Sequence, residues 1–348
     1  MKKAACTTAF ICLFFSLAGC GADNSSGNVA DIETGKDMEE SLLQQTEGAE
    51  NIVQTEEQIN KPYTTDTEIA EVISDPVFGE HGRLIFPIDS GYYSGNTLGT
   101  LRFTWYSNID PEKTVEIANY LRDHAAAGET CFYDIYTDEE KASDPAKEDT
   151  GLFFFKGNPG EKFAVCNAGG GFAYVGAMQD SFPHALELSK MGYNAFALIY
   201  RPGAQTACED LARAVSFIFE HSEELKIDTD SYSVWGGSAG ARMAAWLGSY
   251  GPAAFGGNEL PRPGAVIMQY TGHSDYTESD SPTFACVGEN DGIASWRTME
   301  NRLRYLDSLG IPTEFHKYPG LGHGFGIGTG TAAEGWINEA AAFWEKQM

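Results

Sequence analysis

Two spacings of apolar residues alternate along the second half of the chain. Short, almost continuous apolar runs are typical of buried strands, and they lie at residues 162–166, 194–200, 265–270 and 283–287. Residues 313–318 are more polar and predict a last strand. Between these runs, apolar residues recur every three or four positions, which predicts helices at residues 182–191, 207–225, from 295 onward and around 336–344. Strands that alternate with helices predict an α/β fold, with a mostly parallel sheet covered by helices on both faces.

Upstream of this regular region, residues 71–150 predict an N-terminal extension that carries the first strands. Strands are predicted there at residues 83–87, 101–106 and 131–136, and a further strand at 151–156 begins the core. One helix is well marked, because Asp110-Pro111 is typical of a helix start and Gly128 of a helix end. The folded part is therefore expected to consist of this extension and a core at residues 151–348.

The beginning of the chain follows neither pattern. A basic start, Lys2-Lys3, and an apolar run at residues 9–18 are typical of a secretory signal peptide covering residues 1–19. The run ends in Leu17-Ala18-Gly19-Cys20, which resembles the lipobox at which bacterial lipoproteins are cleaved and acylated on the cysteine thiol. The resemblance implies lipidation at Cys20 and an extracytoplasmic protein anchored to the bacterial cell membrane. The alternative is an ordinary signal peptide followed by a chance cysteine.

Composition changes the picture in the segment after the cysteine. Residues 21–62 contain no aromatic residue, and such a polar segment cannot bury enough apolar surface to offset its ordering entropy. We therefore predict a disordered, acidic tether over residues 20–70. Residues 21–80 carry 15 Asp or Glu and two Lys, nearly half of the chain's net charge of −27. This charge argues against a nucleic-acid partner and says little about a substrate.

A candidate for covalent chemistry lies in residues 231–242, which read as a short strand, a sharp turn and a helix. The turn spells G-x-S-x-G, with Gly236, Ser238 and Gly240 at the three defined positions. A serine on such a tight elbow has strained backbone, and side chains beside it would clash, so glycines are needed. The amides at the start of the following helix favour developing negative charge. In a chain with 39 glycines the motif needs further support.

An acid and a base follow in the chain. Asp291 comes just after the apolar run at residues 283–287, with Glu289 as its nearest competitor. His323 lies in a glycine-rich loop after the last predicted strand, whereas His316 falls within that strand and is expected to be structural. A nucleophile, a base and a group that orients the base are the requirements of acyl transfer.

Three consecutive glycines, Gly169, Gly170 and Gly171, follow the predicted strand at 162–166. Such a loop can present backbone N–H groups to a developing oxyanion. It can also be only a flexible turn. A phosphate-binding loop is a third interpretation, although the G-x-x-x-x-G-K-[ST] frame is missing.

Taken together, these motifs and Tyr200-Arg201-Pro202 resemble the esterase/lipase branch of the α/β-hydrolases, including acetyl-xylan-esterase-like bacterial proteins, over about residues 150–348. The order Ser238, Asp291, His323 is the order of that family. The resemblance implies that these three residues are catalytic.

The resemblance also implies an oxyanion hole formed by the amides of Gly169, Gly170 and Ala239. The chain departs from the family pattern at Ala168, which occupies the usual histidine position. The loop then needs another brace, for which Asn167 is the candidate.

The function implied is a serine carboxylesterase for short acyl esters, acetyl above all, without a cofactor. No C-x-x-C or H-E-x-x-H pattern predicts a metal. The aromatic and hydroxyl side chains of residues 91–106 predict contacts with an acylated polysaccharide, unless they are ordinary core residues. The alternatives are a serine peptidase on the same fold and a non-catalytic surface-binding lipoprotein. Nothing in the sequence predicts an oligomeric state.

Overall fold

The computed structural model describes residues 61–348 of the 348-residue chain. The predicted signal peptide, Cys20 and most of the predicted tether lie outside the described residues. Residues 62–348 form one compact unit.

The folded unit begins earlier than the predicted end of the tether at residue 70. Tyr63 and Ile69 are buried, and the side chain of Asn119 binds both the N–H and the carbonyl of Tyr63, at 2.8 and 2.9 Å. The predicted boundary is therefore wrong by several residues, because a helix distant in the chain holds this polar segment in place.

Short strands and helices alternate through the described residues. In chain order the strands are β1 (Tyr93–Ser94), β2 (Arg102–Phe103), β3 (Phe132–Tyr133), β4 (Gly151–Phe155), β5 (Lys162–Asn167), β6 (Asn194–Ile199), β7 (Asp228–Gly237), β8 (Ala265–Gln269), β9 (Thr283–Gly288) and β10 (Thr313–Tyr318). The α-helices are α1 (Ile69–Ser74), α2 (Pro111–Ala126), α3 (Asp138–Ser143), α4 (Ser181–Lys190), α5 (Ala204–Glu220), α6 (Ser222–Leu225), α7 (Ala239–Tyr250), α8 (Trp296–Ser308) and α9 (Trp336–Glu345).

Strands β3 to β10 form one sheet in the order β3-β4-β6-β5-β7-β8-β9-β10. The six strands from β6 to β10 in this order are parallel, while β4 runs antiparallel to β6 and β3 antiparallel to β4. This confirms the predicted mostly parallel α/β sheet. Strands β6 and β7 are the two neighbours of β5 in the sheet, so the direction in which strands are added reverses after β6. In open α/β sheets, ligands bind at the carboxyl ends of the strands where the strand order reverses in this way.

The sheet is buried along the strands that the apolar runs predict. Every residue of β6, β8 and β9 is buried, which explains why these strands read as continuous apolar runs rather than as alternation. Strand β10 is half-exposed along most of its length, as expected at the edge of a sheet.

Three strands predicted in the N-terminal segment are wrong or much shorter than expected. Residues 76–84 form 3₁₀ turns instead of the beginning of a strand. Only two residues pair in β2, whose partner β1 is equally short, and only two pair in β3, which lies at the edge of the large sheet next to β4.

The predicted helix start at Asp110 is confirmed. The Asp110 carboxylate accepts hydrogen bonds from the N–H groups of Glu112 and Lys113, and Gly128 has a φ of 76° just beyond the helix end. Asp110 therefore caps α2 as its sequence position predicts.

None of the cysteines in the described residues forms a disulfide. Cys166 and Cys286 are buried in β5 and β9, and Cys131 and Cys208 are both free thiols.

Candidate active site

Ser238 lies on a sharp turn between β7 and α7, as the G-x-S-x-G motif predicts. Its φ of 52° and ψ of −109° are strained for a residue with a side chain. The N–H of Ser238 donates to the carbonyl of Gln269 at 2.9 Å, which holds the elbow against β8. A Cβ on Gly236 would collide with the backbone of Gly240, and one on Gly240 with the carbonyl of Asn167. Both motif glycines are therefore required by close backbone approach.

The three predicted catalytic side chains meet at the carboxyl edge of the sheet. His323 Nε2 lies 3.0 Å from Ser238 Oγ, and His323 Nδ1 lies 2.8 Å from Asp291 Oδ2. The side chain of Asp291 has no exposed surface, and that of His323 is 8% exposed. Such a chain of hydrogen bonds lets an imidazole take the serine proton while a carboxylate orients the ring.

The carboxylate that orients His323 is itself held by its own loop. Asp291 Oδ1 accepts the N–H groups of Ile293 and Ala294 at 2.8 and 2.7 Å, which leaves Oδ2 for the imidazole. The competitor Glu289 instead pairs with Lys317 on the surface. His316 pairs with Glu314, also away from the serine.

The oxyanion loop differs from the prediction at Gly169. Its N–H donates to Asp180 Oδ2 at 2.8 Å, so this amide is not available to an oxyanion and the predicted role of Gly169 is wrong. Within residues 61–348, the N–H groups of Gly170, Gly171 and Ala239 have no acceptor. The sequence did not single out the amide of Gly171, which lies in the same glycine loop two residues after Gly169.

Asp180 is the buried residue that holds this loop. Besides the Gly169 amide, its carboxylate accepts the hydroxyl of Tyr106 at 2.7 Å and that of Tyr270. A Cβ on Gly237, the residue before the nucleophile, would also meet this carboxylate. Burial raises the pKa of Asp180 above its usual range, whereas the three hydrogen bonds favour the ionised form. Asp180 thus contacts both the oxyanion loop, through the Gly169 amide, and the elbow, next to Gly237.

Sequence reasoning proposed Asn167 as the brace for the missing histidine. Its side-chain amide instead donates to the carbonyl of Trp235 at 2.9 Å, which ties β5 to β7. The carbonyl of Ala168 accepts the Tyr200 hydroxyl at 2.7 Å. The signal for Asp180 in the sequence is weak, because an aspartate just before helix α4 resembles an ordinary helix cap.

The N-terminal segment reaches the same site through Tyr106 and the residues after it. The Ser107 hydroxyl donates to the carbonyl of His323 at 2.6 Å, and the Ser107 N–H donates to the carbonyl of Gly324 at 3.1 Å. Tyr270 packs against the His323 ring at 5.0 Å between centroids. The loop that carries His323 is therefore held by hydrogen bonds from Ser107 in the extension and by packing against Tyr270, which follows β8.

Among residues 61–348, no group of three or more His, Cys, Asp and Glu side chains is arranged to hold a metal ion. In the same part of the chain, no helix combines the length and the apolar composition needed to cross a membrane.

Comparison with known proteins places this geometry in a known fold. The family model described as BD-FAE matches residues 158–293. No curated protein sequence matches the chain significantly. An acetyl ester-xyloside bifunctional hydrolase from Caldicellulosiruptor lactoaceticus superposes with a TM-score of 0.53 at 20% identity, covering 62% of this chain and 95% of that one.

Esterase 2 from Thermogutta terrifontis is a second structural neighbour. Its form phosphonylated by cyclosarin has a TM-score of 0.52, and its propionate-bound form one of 0.51. Both are 18% identical to this chain and cover 62% of it and 93% of their own length. The chain has the α/β-hydrolase fold.

Proposed function

We propose that this chain is a serine carboxylesterase that hydrolyses short acyl esters, above all acetyl esters carried on carbohydrate. The observation that carries the proposal is the continuous hydrogen-bonded chain from Ser238 through His323 to Asp291, next to three amides that have no acceptor among the described residues. A binding protein has no need of this combination, which acyl transfer requires.

The mechanism follows from the positions of these groups. His323 Nε2 takes the proton of Ser238 as Oγ attacks the ester carbonyl, and Asp291 stabilises the imidazolium that forms. The amides of Gly170, Gly171 and Ala239 stabilise the oxyanion of the tetrahedral intermediate. His323 then gives the proton to the departing alcohol. A water molecule, deprotonated by the same imidazole, hydrolyses the acyl-enzyme.

Support for a short acyl group comes from the neighbours and from the surface. One neighbour is described as an acetyl ester-xyloside hydrolase, and the esterase from Thermogutta terrifontis is described with propionate and with butyrate bound. The large apolar side chains exposed within residues 61–348 are few and far apart in the sequence, with no continuous apolar stretch typical of a lid over lipid droplets.

The test is a series of p-nitrophenyl esters of increasing acyl length, together with acetylated xylan, each measured with wild type and Ser238→Ala. We expect the highest kcat/KM for the acetyl ester and acetate release from the polymer, both lost in Ser238→Ala. A rate that rises steadily towards long acyl chains would contradict the short-acyl assignment. A polymer that releases no acetate would contradict the carbohydrate assignment.

A fluorophosphonate probe separates this proposal from the alternatives. Labelling that disappears in Ser238→Ala indicates a serine hydrolase, and absence of labelling in wild type indicates a binding protein. Turnover of peptide substrates with none of esters would indicate a peptidase.

We further propose that the protein acts outside the cytoplasm, anchored through an acylated Cys20. The support is the sequence Leu17-Ala18-Gly19-Cys20 and the acidic, aromatic-free segment after it. Cys20→Ser is expected to release the protein from membranes or to block its maturation. Wild type found entirely in the soluble fraction, with no acyl mass on its N-terminus, would contradict the anchor.

A further inference from the structure

Trp105 has an unusual backbone and an unusual exposure. Its φ of 74° lies in the left-handed region, which a bulky side chain seldom adopts. Trp105 is also 47% exposed, so the burial of its ring contributes too little free energy to explain why the strained backbone is kept. Strained backbone of this kind is concentrated at ligand-binding and catalytic sites.

The position of Trp105 connects this feature to the catalytic groups. A Cβ built on Gly171 would lie 3.0 Å from the Trp105 ring, and one built on Gly324 would lie 2.7 Å from the Trp105 carbonyl. Gly171 carries one of the unengaged oxyanion amides, and Gly324 follows the general base. Trp105 therefore bridges the oxyanion loop and the histidine loop at the surface.

The Trp105 indole ring is supported on one face by Tyr174 and is otherwise partly exposed to solvent. It stacks on Tyr174, with centroids 5.9 Å apart and an angle of 27° between the planes. The Tyr174 hydroxyl in turn donates to the carbonyl of Thr104. No acceptor within residues 61–348 engages the indole N–H of Trp105. The site mouth thus presents one rigid aromatic face and one unused donor.

We propose that Trp105 is a binding platform for the alcohol part of the substrate, and that this part is an uncharged pyranose ring. The inference rests on the proposed esterase function and adds the residue that would recognise the sugar. The apolar C–H face of a pyranose stacks on an indole, and its hydroxyls accept hydrogen bonds from an N–H donor.

The alcohol side of the ester is favoured by the direction of proton transfer. The departing oxygen takes its proton from His323, so the alcohol lies on the histidine side of the scissile bond. The Trp105 backbone contacts the residue after His323, which places it along that side.

The experiment compares two esters that share the acetyl group, an acetylated methyl xyloside and ethyl acetate, in wild type, Trp105→Ala, Trp105→Phe and Trp105→Gly. Tyr305→Ala, which removes an exposed aromatic ring from α8, is the control for loss of surface aromatic area. We expect Trp105→Ala to lower kcat/KM for the xyloside about tenfold, the size of one aromatic stacking contact, and to leave ethyl acetate within about twofold. Trp105→Phe should retain most of the xyloside activity.

Trp105→Gly separates the ring from the strained backbone, because glycine adopts this φ without cost. It should fold at least as stably as wild type and show the same selective loss as Trp105→Ala. Hydrolysis of the acetyl-enzyme, which no longer contains the alcohol, should be unchanged in all variants.

Equal losses on both esters, or a slower hydrolysis of the acetyl-enzyme, would overturn the platform. Hydrolysis of ethyl acetate by wild type would leave the esterase proposal standing in that case. Absence of activity on either ester in wild type would instead refute the proposed function.

Discussion

Residues 62–150 and residues 151–348 belong to one compact unit but are held together by different means. The second region is a sheet whose strands are buried along their length and paired in register. The first has two-residue strands, 3₁₀ turns and short helices, and is attached by side chains such as Tyr106 on Asp180 and Asp144 on Arg201. Regular strand pairing builds the core, whereas the extension is attached by buried apolar side chains such as Leu101 and Ile117 together with long-range polar contacts.

The same division applies to the proposed chemistry. The core supplies the nucleophile, the base, the orienting carboxylate and the oxyanion amides. The extension supplies Trp105, Tyr106 and Ser107, which touch the loops on which these groups lie. Changes in the core should therefore remove the chemistry, loss of the Tyr106 or Ser107 contacts should weaken it, and loss of the Trp105 ring should affect only the preference for the alcohol.

The largest effect is expected for Asp291→Asn. An amide at this position favours the wrong imidazole tautomer, so kcat should fall by about 10⁴-fold. Glu289→Gln is the matched control, because Glu289 lies two residues away and pairs with a surface lysine. Steady-state kinetics on an acetyl ester measure both. Similar losses in the two variants would overturn the assignment of the orienting carboxylate.

A smaller loss is expected for Asp180→Asn, which alters the brace shared by the two regions. Its new amide group would face a donor where the carboxylate accepts three hydrogen bonds, so the oxyanion loop should shift. We expect kcat to fall by about 10²- to 10³-fold with little change in KM, as for loss of an oxyanion donor.

Asp280→Asn serves as a control for buried aspartates in general. Asp280 pairs with Arg302 and precedes β9, so it lies at the opposite edge of the sheet from Ser238. The Asp280→Asn substitution should lower the free energy of unfolding and leave kcat nearly unchanged. If both variants lose only stability, Asp180 has no positioning role.

Tyr106→Phe tests the contribution of the extension alone. It removes one of three donors to Asp180 and leaves the core intact, so we expect roughly a tenfold loss in kcat, less than for the carboxylate itself. The ratio of the two losses, measured with one ester, sharpens the comparison. A loss as large as that of Asp180→Asn would mean that the extension, rather than the core, sets the oxyanion loop.

The smallest effect concerns stability and not activity. His184 in α4 is buried, and neither ring nitrogen has a hydrogen-bond partner among the described residues. Burial lowers the pKa of His184 to about 3. Between that value and the unfolded pKa of about 6.5, the unfolded chain binds a proton that the folded chain does not. The free energy of unfolding should therefore fall as the pH decreases through this range.

His184→Leu removes this dependence. Urea unfolding of both proteins at about pH 7.5 and about pH 5 should show that wild type loses about 2 kcal/mol more than the variant on acidification. Identical losses would mean that His184 does not contribute to the acid sensitivity.

The sequence predicted the core better than the extension for a physical reason. The runs that became β5, β6, β8 and β9 were recognisable because each strand is buried on both faces. Residues 83–87 are equally apolar, yet 3₁₀ turns occupy their beginning, since no neighbouring long strand offers backbone partners. Burial was predictable there, but the type of element was not.

The candidate site shows the same limit. Ser238, Asp291 and His323 were predicted because each follows a recognisable strand in a defined order. Asp180 and the unengaged amides of Gly170 and Gly171 were not, because both depend on which buried acceptor takes the Gly169 N–H. Only the folded backbone brings that carboxylate under the glycine loop.

Trapping of the covalent intermediate tests the central claim most directly. Wild-type protein is mixed with excess p-nitrophenyl acetate, quenched in acid within milliseconds, digested and analysed by mass spectrometry, with Ser238→Ala as the control. The account predicts one acetyl group, on Ser238, and none in the variant. Acetyl on another residue of wild type, or acetate release without any acetylated serine, would contradict it.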